Sequence, residues 1–196
     1  GASSVDELEI ARYLASGDAP GQATSVFGIE TLFAGESLTL AQARVTIETW
    51  WSPWTFVGST EIVSFDESAA RLRMVLLDCI RAWANCFPDI LLGVSGGLDS
   101  SIVAAGMAGH RHFRCYTSVG PDADGDERGY ARALTDALAV PLREEHYDVA
   151  DIDVTRAVAP HHPWPNALFY RQAIEAMHRR ISEDHPIGAY FSGNGG

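Results

Sequence analysis

The rhythm of apolar and polar positions changes at Pro88. Upstream, SFDESAARLRMVLLDCIRAWANCF (64–87) places Leu72, Val75, Leu76, Cys79, Ile80 and Trp83 on one stripe, which predicts an amphipathic helix. Ser64 with Glu67 supplies a capping box and Pro88 a stop. Downstream, short apolar runs alternate with helical patterns. Strands are predicted at 90–94, 112–118, 141–147 and 187–191, with helices at 98–109, 125–139 and 166–182 between them. Strands separated by helices imply βαβ units. The expected class is therefore α/β: a mainly parallel, Rossmann-like sheet with helices on both faces, its loops gathered at the strands' C-terminal ends.

Residues 2–56 have a mixed pattern. A helix is predicted over 4–16, with Ser4 and Glu7 as its capping box, followed by the loop GDAPGQA. TSVFGIETLFAGESLTL predicts two short strands around Ala34-Gly35. VTIETWWSPWTF predicts another, ending at Pro53, and 57–64 a crossing strand or linker. The division this suggests is 1–58, a small α+β piece, and 59–196, the α/β domain.

Composition narrows the partners. Of 196 residues, 46% are hydrophobic, enough for a sizeable core, and the formal net charge is −12. That charge argues against general nucleic-acid binding or docking on an anionic membrane. No apolar run is long enough to span a bilayer and no leader is visible, so the expectation is a cytoplasmic protein. All 14 basic residues are Arg. Cys79, Cys86 and Cys115 lack metal-ligand spacing and read as small buried apolar residues.

The chemistry concentrates in DILLGVSGGLDSSIVAAGM (89–107), a strand running through a glycine pair into a helix. In a parallel sheet this first βα turn is an anion site, because the N–H groups of a helix N-terminus point outward and the helix dipole favours negative charge. Gly96 and Gly97 let the backbone approach a ligand, and Ser95, Ser100 and Ser101 add hydroxyls. The Lys of a Walker loop is missing. In its place stands Asp99, which would repel a phosphate unless a cation lay between them; Mg²⁺ suits both.

SGGLDSS resembles the pyrophosphate loop of the ATP-pyrophosphatase enzymes, and two other stretches narrow the likeness to the asparagine synthetase family. FSGNGG resembles the SGxG(S/G)DE segment of that family, and GDERGYARALTDALAVPLREEHY its acidic turn, helix and strand. Upstream, T-x-x-x-G-I-x-x-L-x-x-G, read at Thr24, Gly28, Ile29, Leu32 and Gly35, looks like the tail of a glutaminase-like domain. The resemblance implies ATP and Mg²⁺ as cofactors and an adenine nucleotide alpha hydrolase-like fold. Ser95, Gly96, Gly97, Leu98, Asp99 and Ser100 would take the pyrophosphate, with Asp99 as metal ligand and catalytic residue. Leu92, Val119, Ser192 and Gly193 would hold adenine and ribose, largely through backbone. The implied reaction adenylates a carboxylate, aspartate by family default, and passes it to glutamine-derived ammonia or another amine.

Asn194 stands where relatives that use aspartate often carry Glu, which brings in a lasso-peptide cyclase or other amide former as an alternative. A non-catalytic adenine-nucleotide-binding module is a further one. In the acidic turn, Asp122, Asp124, Asp126 and Glu127 suit a solvated cap as well as a catalytic role, and His161 and His162 read as loop residues. The missing initiator Met and the final glycine pair suggest a piece of a longer protein. Without a second metal carboxylate or a Lys, that piece is expected to be inactive by itself.

Overall fold

The computed structural model describes residues 4–16, 21–58, 64–120, 125–159, 162–165 and 168–194. They fall into two compact units, Gly1–Ile62 with Ala157–Leu168, and Val63–Arg156 with Phe169–Gly196. The return of 157–168 to the first unit has no counterpart in the local sequence pattern.

The first unit begins with helix α1 (Glu7–Ser16). Its cap is Asp6, whose carboxylate accepts from the N–H groups of Leu8 and Glu9 at 3.1 and 3.2 Å. The expected Ser4–Glu7 box does not form, because the helix starts at Glu7 itself and the Ser4 carbonyl accepts from Phe27 N–H. Strands β1 (Glu36–Ala41) and β2 (Arg44–Thr49) make an antiparallel hairpin. Its two-residue loop, Gln42-Ala43, has positive φ at both positions, as a type I′ turn requires.

Only the second of the two strands expected around Ala34-Gly35 forms. Residues 24–33 instead fold into a loop closed by the buried Thr24, whose hydroxyl donates to the Ile29 carbonyl at 2.8 Å. Gly35, with φ +84°, ends that loop, and a Cβ there would meet the Trp51 carbonyl oxygen at 2.1 Å. The returning segment joins this unit through Ser25 N–H, which donates to the Pro163 carbonyl, and through Trp164, stacked on Tyr13.

In the second unit, α2 (Phe65–Ala84) is capped by Ser64, whose hydroxyl accepts from Glu67 N–H. Then β3 (Ile90–Gly93), α3 (Leu98–Gly106), β4 (Phe113–Val119), α4 (Arg128–Leu138), β5 (Leu142–His146), α5 (Tyr170–Asp184) and β6 (Ala189–Phe191) alternate as the periodicity predicts. The strands form one parallel sheet in the order β5-β4-β3-β6. Alternation splits each strand between two cores. Ile90, Leu92 and Val94 join Ala104, Met107 and Ala131 on the α3/α4 face, while Leu91 and Tyr116 meet Met177 and Ile181 of α5 on the other. The fold is Rossmann-like, with helices on both faces.

The stripe on α2 has the expected helical period but not the expected burial. Leu72, Val75 and Trp83 are exposed, and α2 reaches the sheet's core only through Ile80 and Ala84. For the same reason Cys79 and Cys86 are exposed, against expectation, and only Cys115 is buried. On the far face, an ion-pair lattice holds α5 against β5. Arg180 donates to the His146 carbonyl at 2.6 Å and pairs with Glu145 and Asp151, while Arg143 pairs with Glu145 and Asp184.

Candidate functional site

The strand order dictates where a ligand can enter. From β3 the chain adds β4 and β5 in one direction, then crosses back through α5 to lay β6 on the other side of β3. The strand order therefore reverses beside β3, and the crevice there at the sheet's C-terminal edge is the usual ligand position in open α/β sheets. A cavity of about 290 Å³ occupies that crevice.

One end of the cavity is the turn between β3 and α3. Gly96 has φ +77°, and a Cβ there would sit 2.3 Å from Cβ of Tyr130, so only glycine fits both the backbone and the packing. Gly97 is the α3 N-cap and no side chain caps it. The N–H groups of Leu98, Asp99 and Ser100 in the first turn have no intrahelical acceptor and need an outside one. Ser95 and Ser100 brace the turn: Gly97 N–H donates to Ser95 Oγ at 3.2 Å, and Ser95 N–H to Ser100 Oγ at 3.3 Å.

From the other side, the loop after β6 closes on this turn. A Cβ at Gly193 would lie 2.5 Å from the Ser100 nitrogen, so glycine is needed for the approach. Ser192, Gly193 and Asn194 complete the polar end, with Asn194 N–H donating to Ser192 Oγ.

Of the residues singled out in the sequence, Ser95, Gly97, Leu98, Asp99, Ser100, Ser192 and Gly193 line the cavity. Gly96 shapes the turn without lining it. Leu92 is fully buried in the α3/α4 core and Val119 is buried as well, and neither lines the cavity; Gly93, Thr117 and Ser118 do. Ser101 is turned away, its hydroxyl donating to the Gly97 carbonyl at 2.7 Å.

The acidic turn divides. Asp126 forms a two-pronged pair with Arg128, whose guanidinium and N–H pull the carboxyl down to about 2, while Glu127 lines the cavity. Asp122, Asp124, His161, Gly195 and Gly196 lie outside the described residues. His162 is a loop residue with Nδ1 3.5 Å from the Trp164 carbonyl oxygen.

The cavity's other end was not legible in the sequence. Tyr116, Tyr190, Ile174 and Met177 build it, from β4, β6 and α5. Burial, reinforced by Tyr190, raises the Tyr116 phenol far above its ordinary range, so it stays protonated. Period-2 alternation could have put Tyr190 on the Leu91 face, but only the register Leu91↔Tyr190 and Gly93↔Tyr116 brings the two rings together.

The donor set fits a magnesium diphosphate in outline. There is a helix N-terminus with free N–H groups, a glycine cradle that a Cβ would fill, and a carboxylate at Asp99 able to share a cation. Among the described residues no cluster of three metal-ligating side chains exists, so a cation here would draw its remaining ligands from phosphate and water.

This geometry defines an α/β domain with a polar-ended cavity at its switch point. Residues 71–163 match the family model described as asparagine synthase. Among curated proteins the chain is similar to glutamine-hydrolyzing asparagine synthetase 3 of Bacillus subtilis (strain 168), with 27% identity over 107 residues, 54% of this chain. The chain spans 17% of that relative's length. The family match ends at 163, before α5 and β6, so Ser192 and Gly193 are brought to the site by the fold alone. Among the described residues no helix is long and apolar enough to cross a membrane.

Proposed function

We propose that this chain carries the nucleotide-activating part of an ATP-dependent, amide-forming C–N ligase. The observation that supports this reading best is the convergence of two loops, Ser95–Ser100 and Ser192–Asn194, on one anion seat at the switch point. The α3 N–H groups and the hydroxyls of Ser95 and Ser100 bind and orient the polyphosphate, while the backbone near Gly93 and Gly193 holds the nucleoside end. Asp99 binds magnesium, which when present would offset the charge between that carboxylate and the phosphates.

In the proposed reaction a substrate carboxylate oxygen attacks the α-phosphorus and the bond to the β-bridging oxygen breaks. Pyrophosphate leaves and an acyl-adenylate remains. A nitrogen nucleophile, ammonia from glutamine or another amine, then attacks the acyl carbon, AMP leaves, and the nitrogen sheds a proton to give the amide. Fixed donors aimed at the leaving charge and alignment of the two oxygens supply the rate. The first unit is read as the end of a glutaminase-like domain; in support, Thr24 and Gly35 of its motif close and end the loop described above.

Asn194 favours a second choice of acceptor. An amide on the cavity wall cannot pair as a charge with an amino-acid substrate's ammonium group, so a peptide or other carboxylate suits the site better than free aspartate. The test is to incubate the full-length enzyme with Mg-ATP and candidate carboxylates and analyse the products. Pyrophosphate and AMP in equal amounts are expected; ADP and orthophosphate would contradict the reading.

A further inference from the structure

The apolar end of the cavity holds a feature that the ligase reading does not use. Tyr190 and Tyr116 converge over Gly93, where a Cβ would come within 2.9 and 3.0 Å of their hydroxyl oxygens. Glycine at 93 is therefore what allows the two phenols to share the cavity floor. Their hydroxyls are hydrogen-bonded to each other, and His178 Nε2 lies 2.9 Å from the Tyr116 hydroxyl on its other side. The three rings pack together, with centroids at 5.3 Å for Tyr116–His178, 5.8 Å for Tyr116–Tyr190 and 4.4 Å for His178–Tyr190. Tyr116 is buried. Tyr190 is partly exposed and lines the cavity, so its hydroxyl is the chain's open end.

Proton counting gives this chain a direction. Each phenol has one proton. If His178 accepts at Nε2, Tyr116 donates to it and takes its second bond from Tyr190, whose proton is then spent. If His178 carries a proton on Nε2, it donates to Tyr116, Tyr116 donates to Tyr190, and the Tyr190 proton is left for the cavity. Protonating the imidazole enforces the second arrangement. The groups that bear on His178 are Glu175 on its own helix, Tyr116 from β4 and Tyr190 from β6.

We propose that Tyr190 is a specificity residue that donates its hydroxyl proton to an acceptor on the ligand, and that His178, acting through Tyr116, is the positioning residue that aims that proton. The proposal rests on the ligase reading, in that a nucleotide seated on the α3 turn must extend toward Gly93. It makes the Tyr190 contact pH-dependent although the ligand never touches the imidazole. Half-burial lowers the His178 pKa from its ordinary 6.5, so the donor state grows as pH falls below neutrality.

Two probes separate this proposal from its premise. Inorganic pyrophosphate with Mg²⁺ reaches only the turn, whereas Mg-ATP reaches both ends. Calorimetric titration of the intact chain from pH 7.5 to 5.5 should show the ratio of ATP to pyrophosphate affinity rising as pH falls. Tyr190→Phe should flatten that ratio and weaken ATP about five- to tenfold at the acid end, the worth of one hydrogen bond, with pyrophosphate binding unchanged. His178→Phe should remove the pH dependence and keep ATP affinity high, since Tyr116 then has only Tyr190 to donate to and the Tyr190 proton stays free. His178→Gln, whose amide does not titrate, should likewise leave the ratio independent of pH. Pyrophosphate binding retained alongside identical ATP profiles for wild type and Tyr190→Phe would overturn the proposal alone. Binding of neither probe would overturn the ligase reading, and the proposal with it.

Discussion

Gly193 rests against the backbone nitrogen of Ser100, close enough that a Cβ would intrude to 2.5 Å. The atoms in the way are helix backbone, which cannot move aside cheaply. Gly193→Ala should therefore push the β6 loop off the first turn of α3 and open the anion seat. Overpacking of this kind costs roughly 1–3 kcal/mol. Because both loops contribute to the seat, pyrophosphate affinity should fall about tenfold or more, measured by titration calorimetry.

The neighbouring glycines should differ sharply. Gly96 needs φ +77° and abuts Tyr130, whereas Gly97 has φ −68° and only the Ser95 hydroxyl within 3.1 Å of its missing Cβ. Gly96→Ala should cost about 2 kcal/mol or more in denaturant unfolding. Gly97→Ala should leave stability nearly unchanged, since its backbone suits any residue and a hydroxyl can rotate away. Equal losses would mean that the turn is not shaped as described.

Thiol reactivity checks the cores. Burial pushes the Cys115 thiol up to about 12, while Cys79 and Cys86 are exposed on or beside α2. Under native conditions a disulfide reagent should modify Cys79 and Cys86 quickly and Cys115 only on unfolding. Fast reaction of Cys115 in the native state would contradict the sheet packing.

Asp126 gives a pH prediction with a definite sign. Its folded pKa, about 2, lies below the ordinary 3.8 because Arg128 binds the charged form. Whatever the pair contributes to stability is complete above 3.8 and lost as pH falls toward 2. The group is fully exposed, so that contribution is small. Carboxyl NMR should place its midpoint near 2, and Arg128→Met should return it toward 3.8.

Much of this fold is written in local pattern. Buried parallel strands read as short apolar runs such as ILLGV, and the amphipathic periods of α2, α4 and α5 are plain. The phosphate-type turn is equally plain, because two glycines, an acid and serines in seven residues have few other uses. Three features escaped for physical reasons. The hairpin turn uses Gln42-Ala43 in a conformation that Asn or Gly usually marks. Residues 157–168 join the first unit through contacts to Tyr13 and Ser25, far away in sequence. Tyr116, His178 and Tyr190 meet only because register and helix crossing bring them together. The stripe on α2 was legible as a helix, but its exposure depends on what it packs against, which periodicity does not encode.

The central claim is that the turn from Ser95 to Ser100 seats a diphosphate with magnesium at Asp99. Backbone amide NMR of the labelled chain, titrated with pyrophosphate and Mg²⁺, tests it directly. The largest shifts should fall on Gly97, Leu98, Asp99, Ser100 and Gly193, and Asp99→Asn should remove the magnesium-dependent part. Shifts clustered elsewhere, or none at saturating pyrophosphate, would contradict it.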